Sequence, residues 1–576
     1  MTKTKTGTPR VTSDDERRRK GAFHTPRLWV RRAHQEVERV LGPKWRRDCV
    51  VWDPAAGTGN LTMLPEHHDY GMLLSSTLDA EDVASIHDRA GGMSAHQYDF
   101  LGRGPLPPEI DGGLRRAAAQ GKRLVFFMNP PYGTAAAGLS DVGRAGMTTS
   151  AVSLAMREER LGAASQQLFA QFLYQAVTFA EHYGFADHTV AFFGVPTLMT
   201  SGSFRPFRAW WYARHGFEGG FFFQASQFAD VSDAWGIAFT LWSSGRTTAQ
   251  EQPLQVHTVE VHGGETLDME VKRFYNTDDR QASDWARAPV LGVKGVHLPS
   301  LTSGLKLKEG ATKALVPGAL AYLVNNSNAM YDSATLCAWG SLGMTPTGFS
   351  VTRDNWLRAV ALYAARKLVP VTWRTGKDEY AAPTNTLDPL YAQWVSDCHA
   401  FVLLHHTNNC AAMRGVVGVP RGRVHNHWFW VPRASCRLAL SSCGSSGSTS
   451  SISCDFHEDE GVASAKDGLG REVGCEPFFA RLIREGSLSF SDDAWFLISQ
   501  LCDLWRGSLS HRGRYAVARA DKLPDLHLQA WDAGVYQLKP LWQDLFPAEW
   551  QRIQDAHKTL AARLADGVYA HGFLRR

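Results

Sequence analysis

Val50-Val51-Trp52-Asp53-Pro54-Ala55-Ala56-Gly57-Thr58-Gly59-Asn60-Leu61-Thr62 decides how the amino-terminal half of this chain reads. An apolar run enters a tight turn that carries two glycines. The run predicts a buried strand, and glycine lets the backbone approach a ligand closely where a Cβ would clash, at the carboxyl end of a parallel strand. A nucleotide-like ligand is implied. A Gly-x-Gly turn by itself also suits an ordinary strand-to-helix connection, so the reading depends on its surroundings.

Outward from this turn, between about residues 48 and 242, short apolar strands alternate with helical stretches, the pattern of a mainly parallel sheet covered on both faces. Strands are predicted at residues 50–52, 72–77, 124–128 and 189–194. Leu168, Phe169, Phe172, Leu173, Ala176 and Phe179 recur at helical spacing and predict a helix over residues 165–183 with one apolar stripe for the sheet. Residues 217–223 and 235–242 read as a pair of strands added at one edge. A second chemical signal lies in Phe126-Phe127-Met128-Asn129-Pro130-Pro131-Tyr132, an apolar strand that ends in a rigid polar tetrapeptide. Two prolines fix φ, so the Asn129 amide and the Pro130 carbonyl can face one acceptor site. Two oxygens held in this way suit an exocyclic amine whose lone pair is conjugated into a ring. Hydrogen bonds from its NH2 favour the pyramidal, nucleophilic nitrogen, and Tyr132 supplies a ring to stack on.

Together, Asp53-Pro54-Ala55-Ala56-Gly57-Thr58-Gly59 and, 76 positions later, Asn129-Pro130-Pro131-Tyr132 resemble the amino-methyltransferases of DNA. Gly21-Ala22-Phe23-His24-Thr25-Pro26 resembles the motif that precedes the glycine-rich turn in that family, and the motif order resembles its gamma group. The resemblance covers about residues 20–245. It implies a Rossmann-like α/β domain with a mixed seven-stranded sheet, S-adenosyl-L-methionine as cofactor, and transfer of methyl to N6 of a flipped adenine in double-stranded DNA. A restriction-modification or phage-defence setting, with restriction or defence subunits as partners, follows from the same likeness. Catalysis falls to Asn129, Pro130, Pro131 and Tyr132. Cofactor binding falls to Phe23, Thr25, Pro26, Asp53, Pro54, Ala55, Gly57, Gly59, Phe100 and Asn129, with Asp99 at the adenine. Asp79 is the candidate for the ribose, although it sits late after its strand. Tyr132 and Phe204 would stack on the base; a buried Phe at a helix start fits Phe204 equally, and a surface carboxylate fits Asp99. No metal is implied. Cytosine N4 as acceptor and a catalytically silent DNA-binding subunit remain alternatives. Enzymes acting on ribosomal RNA adenines or a release-factor glutamine share the tetrapeptide, but they resemble smaller proteins.

The chain of 576 residues exceeds what one core normally supports, so two domains are expected. Hydrophobic residues at 44% and charged residues at 20% exclude large-scale disorder. A net charge of +4 is too small to identify a polyanionic partner, so local clusters carry that argument. Ten Lys or Arg against three acids in the first 32 residues read as a solvated tail or as an arm on phosphate. The expected divisions are a basic flexible tail (1–20), the methyltransferase domain (21–245), a linker with short strands (246–299), and an α+β DNA target-recognition and helical C-terminal region (300–576).

Within the last region Arg353, Arg358, Arg366, Lys367, Arg374, Lys377, Arg414, Arg421 and Arg423 recur among aromatics and are candidates for DNA contact. Residues 371–380 stand out as a DNA-facing loop. Residues 134–164 read as a mobile loop or a plain insertion, and residues 441–453 as a surface loop. From Asp492 onward the pattern is helical, with Trp505, Trp531, Trp542 and Trp550 in the core. Glu270-Val271-Lys272 has nuclease-like spacing but no suitable acid ahead of it. Nine cysteines without a Cys-x-x-Cys pair indicate reduced thiols and a cytoplasmic setting. Cys436, Cys443, Cys454 and Cys475 with His457 are spaced too irregularly for a metal site. No window approaches the apolar length of a membrane span.

Overall fold

Among the described residues, nine strands form the principal sheet: β1 (Val50–Asp53), β2 (Met72–Thr77), β3 (Ala95–Gln97), β4 (Leu124–Met128), β5 (His188–Gly194), β6 (His215–Gln224), β7 (Gly236–Ser244), β8 (Leu254–His262) and β9 (Glu265–Phe274). β1, β4 and β5 are buried along their whole length, as central strands covered on both faces must be. Their side chains alternate between two cores. Trp52, Phe126, Met128, Val190 and Phe192 face one side, and Val51, Val125, Phe127, Ala191 and Phe193 the other. The helix Leu168–His182 covers the first face through Phe169, Phe172, Leu173 and Ala176. It begins later than its apolar stripe suggested because Gly162–Gln166 forms a separate 3-10 turn. The helix Arg27–Leu41 covers the second face through Trp29, Val30, Ala33 and Val37.

The computed structural model describes residues 25–64, 69–89, 95–102, 104–132, 150–228, 233–278, 280–287, 296–301, 307–315, 318–332, 334–337, 347–412, 425–432, 476–518, 528 and 530–576. Phe23, the basic segment 1–20, residues 133–149, the loose cysteine cluster with His457, residues 441–453 and Arg414, Arg421 and Arg423 lie outside them.

The sheet order is β3-β2-β1-β4-β5-β7-β6-β8-β9. β3, β2, β1, β4 and β5 pair in parallel, and β7 inserts antiparallel between β5 and β6. This is the mixed, Rossmann-like α/β class, with nine strands where seven were expected. The pair β6 and β7 is not an edge: β8 continues the sheet from β6 and β9 closes it as a hairpin. Both added strands lie in the stretch read as linker. Along β8, Leu254 and Val256 face one core and Val259 the other, as strand alternation requires, and its pairing with β9 shifts register between His257 and Val259. The loops after β1 and β4 turn away in opposite directions, since β2 and β5 lie on opposite sides, which opens a crevice at the carboxyl ends of these two strands.

The chain forms two units, Met1–Asp278 with Val371–Glu379, and Asp279–Pro370 with Tyr380–Arg576. The second unit is α+β. A four-stranded sheet of Phe349–Val351, Ala321–Asn325, Ala334–Cys337 and Asn408–Asn409 accompanies the largely buried helices Trp356–Leu368 and Pro389–Leu404. The helices Asp492–Ser508, Val535–Leu545 and Pro547–Ala570 share one core with them, into which Trp505, Trp531, Trp542 and Trp550 are buried as the pattern suggested. Trp428, Phe429 and Trp430 are core as well. No described helix is long and apolar enough to cross a membrane.

Candidate active site

β1 delivers Asp53 to the floor of the crevice. Its Oδ1 accepts the Ala55 N–H at 3.1 Å, which starts the turn, while Oδ2 is buried with no hydrogen-bond partner. Burial pushes the Asp53 carboxyl up to about 7, because the ionised form loses water and gains only one backbone donor. The turn is tied to β2 by the Ala56 N–H donating to the Ser76 carbonyl (3.0 Å) and by Trp52 Nε1 donating to Ser76 Oγ (3.2 Å). Gly57 and Gly59 have φ of 50° and 81°, the left-handed region that side chains disfavour. A Cβ on Gly59 would also stand 2.6 Å from Met63 Sδ, whereas Gly57 faces open space. Thr62 Oγ1, at the end of the turn, is a second buried polar atom without a partner.

β4 delivers the tetrapeptide beside it. Asn129 Nδ2 donates to Thr25 Oγ1 at 3.0 Å, and the Tyr132 hydroxyl donates to Asn129 Oδ1 at 2.7 Å. The amide is thereby oriented by two side chains, one of them 104 positions away. Thr25 is buried and Pro26 precedes the first turn of the helix Arg27–Leu41. So the Gly21–Pro26 motif reaches the site through Thr25, which touches Asn129. Burial holds the Tyr132 hydroxyl well above its usual range, so it remains a donor.

Asp79 and Asp99 follow β2 and β3. Asp79 is exposed and opens the helix Ala80–Arg89, whose Asp82 N–H donates to the Asp79 carbonyl at 3.2 Å. Asp99 is exposed, with Oδ1 accepting the Leu101 N–H at 3.1 Å. In sheet order Asp99, Asp79, Asp53 and Asn129 lie at or just beyond the carboxyl ends of the neighbouring strands β3, β2, β1 and β4. Three strand spacings put the first and last of these strands about 14 Å apart.

Two expected contacts are corrected. Phe100 is 2% exposed and lies in an aromatic core with Trp52 (5.3 Å), Phe172 (5.0 Å) and Phe179 (5.5 Å), so it supports β1 from below and offers no face to a cofactor. Phe204 is buried, stacked on Phe169 at 5.6 Å, and is therefore a core residue and no second wall for a base. Residues 371–380 are corrected too. Through Glu379 this segment packs on the first unit: Trp373 lies against Phe222, Arg374 pairs with Glu260 and Glu270, and Lys272 with Asp378. The same pairs engage Glu270 and Lys272 with Arg374 and Asp378. Among the described residues no group of acids, histidines or cysteines could hold a metal.

Of the basic residues offered for DNA contact, Arg366 is buried and donates to the carbonyls of Ala329 and Asp332, a role inside its own unit. Burial lowers Lys367 to about 8, and Lys377 lies over the ring of Trp235. The sequence reading missed the joint role of Arg208, Asp278 and Glu379, which form a buried polar network around Ser201. No local pattern marks their pairing, since the network joins residues up to 178 positions apart.

No family model and no curated protein matches the chain. Among solved structures it is similar to DrdV in a DNA complex (17% identity over 46% of this chain and 29% of that one, TM-score 0.32). It is also similar to the DNA-bound ATP-dependent Type ISP restriction-modification enzyme LlaBIII (9% identity, 67% and 39%, TM-score 0.38). A third is a type I restriction-modification methyltransferase subunit of Streptococcus thermophilus (13% identity, 42% and 50%, TM-score 0.28). The chain spans half or less of the length of each of these three. At these TM-scores the likenesses fix neither fold nor function, and both stand on the strands and side chains described above.

Proposed function

We propose that this chain transfers methyl from S-adenosyl-L-methionine to an exocyclic amine of DNA, with N6 of a flipped adenine as the acceptor. The observation that carries the reading is the Asn129 amide, locked by Thr25 at the end of β4, one strand from the unpartnered Asp53 oxygen at the end of β1. The residues present fit the cofactor. Asp53 Oδ2 offers a buried carboxylate oxygen to a cationic donor, the glycine turn admits a ligand against the backbone, and Asp79 and Asp99, just beyond the next two strands, are the candidates for a ribose and a purine. Bound there, the cofactor supplies an electrophilic methyl group on a sulfonium.

The chain's own residues act on the acceptor. Asn129 Oδ1 and the Pro130 carbonyl accept from the target NH2, which pyramidalises the nitrogen and directs its lone pair at the methyl carbon. The amine takes the position that the Tyr132 hydroxyl holds on Asn129 Oδ1, and the Tyr132 ring then stacks on the base. The nitrogen would gain a bond to the methyl carbon as the sulfonium's carbon–sulfur bond breaks, its electron pair leaving with the neutral thioether, and the nitrogen would then lose a proton to water. Asn129 is not a base in this scheme; it aims the amine. Pro130 and Pro131 fix the backbone so that aiming costs little on binding. Double-stranded DNA is the proposed substrate, and restriction or defence subunits are proposed partners.

The test is transfer of labelled methyl from S-adenosyl-L-methionine to unmethylated genomic DNA by the purified protein, followed by nucleoside analysis. N6-methyladenine is expected. N4-methylcytosine would keep the mechanism and change the acceptor, and no incorporation alongside measurable cofactor binding would overturn the stand-alone enzyme.

A further inference from the structure

The loop after β5 is held from two sides by opposite charges. Arg208, fully buried, donates through Nη1 to the Leu198 carbonyl (2.8 Å) and through Nη2 to the Ser201 carbonyl (2.9 Å), and it is itself paired with Asp278. Glu379 takes the donors of the same loop. Its Oε1 accepts from Ser201 Oγ (2.9 Å), and its Oε2 from the Gly202 N–H (3.0 Å) and Thr277 Oγ1 (3.2 Å). A cation on the carbonyls and a carboxylate on the N–H and O–H groups leave the loop little freedom.

That loop neighbours the catalytic turn. Met128 pairs with Phe192, so the chain leaving β5 runs beside the Asn129 turn leaving β4. The 3-10 turn Gly162–Gln166 meets Gly202–Phe204: a Cβ on Gly162 would lie 3.7 Å from the Ser203 carbonyl oxygen. Glu379 reaches this place on the segment Val371–Glu379, which three ion pairs anchor to β8 and β9. We propose that Glu379 is a positioning residue for the acceptor side of the site, and that Val371–Glu379 is a strap which completes the methyl-transfer unit from a distant part of the chain. The proposal rests on the methyl-transfer reading for its consequence, and on geometry alone for the clamp.

The full chain carrying Glu379→Gln tests it. Glutamine keeps the shape and one accepting oxygen but cannot accept from both hydroxyls and the N–H. Amide exchange across residues 197–204 is expected to speed up at least tenfold, with the helix Leu168–His182 unchanged. Methyl transfer should fall at least tenfold while affinity for S-adenosyl-L-methionine stays within twofold. Gly376→Val is the second variant: a Cβ there would lie 2.6 Å from the Ala234 carbonyl oxygen, so it displaces the strap without altering Glu379 and must reproduce the pattern. Unchanged exchange in the loop overturns the clamp. Faster exchange with full transfer overturns the positioning role, and so does an equal loss of cofactor affinity. If the wild-type protein transfers no methyl to any DNA while the exchange result holds, the functional reading has failed and the clamp has not.

Discussion

The two ends of the same sheet bury titratable groups to opposite effect. At the carboxyl end Asp53 has one oxygen engaged and one unpartnered, and burial raises it to about 7. At the amino ends of β5 and β6, His188 and His215 are buried against each other, Nε2 to Nε2 at 3.0 Å, and burial lowers them to about 4 and about 3. His215 Nδ1 lies 3.2 Å from the Trp211 carbonyl, so a proton there leaves His215 Nε2 free to accept from His188. The histidine pair is closed on itself and wants nothing further. Asp53 is held in a state that a cationic ligand would relieve. A buried ionisable group is therefore no mark of a site by itself; Asp53 differs from the histidine pair in that its unpartnered oxygen stands at the strand ends that open the crevice.

The largest effect expected at the open end is that of Asn129→Ala. Transfer should fall by about a hundredfold to a thousandfold, the range for losing one preorganised polar contact to a reacting centre. Affinity for S-adenosyl-L-methionine should stay within threefold by calorimetry. A comparable loss in affinity would move Asn129 from the acceptor to the cofactor.

Asp53→Asn should weaken cofactor binding about tenfold or more, as the loss of a charge-assisted contact implies. It should not destabilise the free protein at pH 8. The folded-state value lies above the unfolded one, so folding takes up a proton, and the contribution of Asp53 to stability is lost as pH rises through about 7. The melting temperature of the variant relative to wild type should thus climb with pH from 4 to 7 and then level. Cofactor affinity of the wild type should rise over the same window, because the cation binds the ionised form. A flat affinity from pH 5 to 8 would break the contrast.

The closed end makes the opposite prediction. His188 and His215 have folded values below the unfolded 6.5, so their stabilising contribution is present above that pH and is lost as pH falls toward 4. The melting temperature should drop by on the order of 5 °C between pH 6.5 and 5, and His215→Gln should flatten that slope without touching cofactor affinity. The smallest effect is expected for Phe204→Leu. Losing its stack on Phe169 should cost about 1 kcal/mol of stability and leave transfer within twofold, since Phe204 is core. A selective loss of DNA affinity would restore it as a base contact.

Much of the site was legible because its decisive signals are contiguous. The runs before Asp53 and Asn129 are short and continuously apolar, as buried central strands are, and the glycines and prolines fix turn stereochemistry from within a few residues. β2 and β4 fall where their sequence placed them. Side-chain destinations were less legible. Phe100 and Phe204 sit in motif-like surroundings, yet the helix Leu168–His182 returns over them and buries both. The aromatic and charged segment at 371–379 has the composition of a surface loop, but its charges find partners on β8 and β9, about 100 positions earlier in the chain.

The sequence by itself determined the layered α/β class, the strand ends at which Asp53 and Asn129 stand, and the chemistry their residue types can perform. Only the tertiary structure decided that Thr25 and Tyr132 hold the Asn129 amide, that β8 and β9 widen the sheet, and that Glu379 closes the loop after β5. The physical reason is one of range. Backbone periodicity and turn geometry are set by neighbours in sequence, whereas the partner of a buried polar atom depends on where the chain returns, and no local pattern records that.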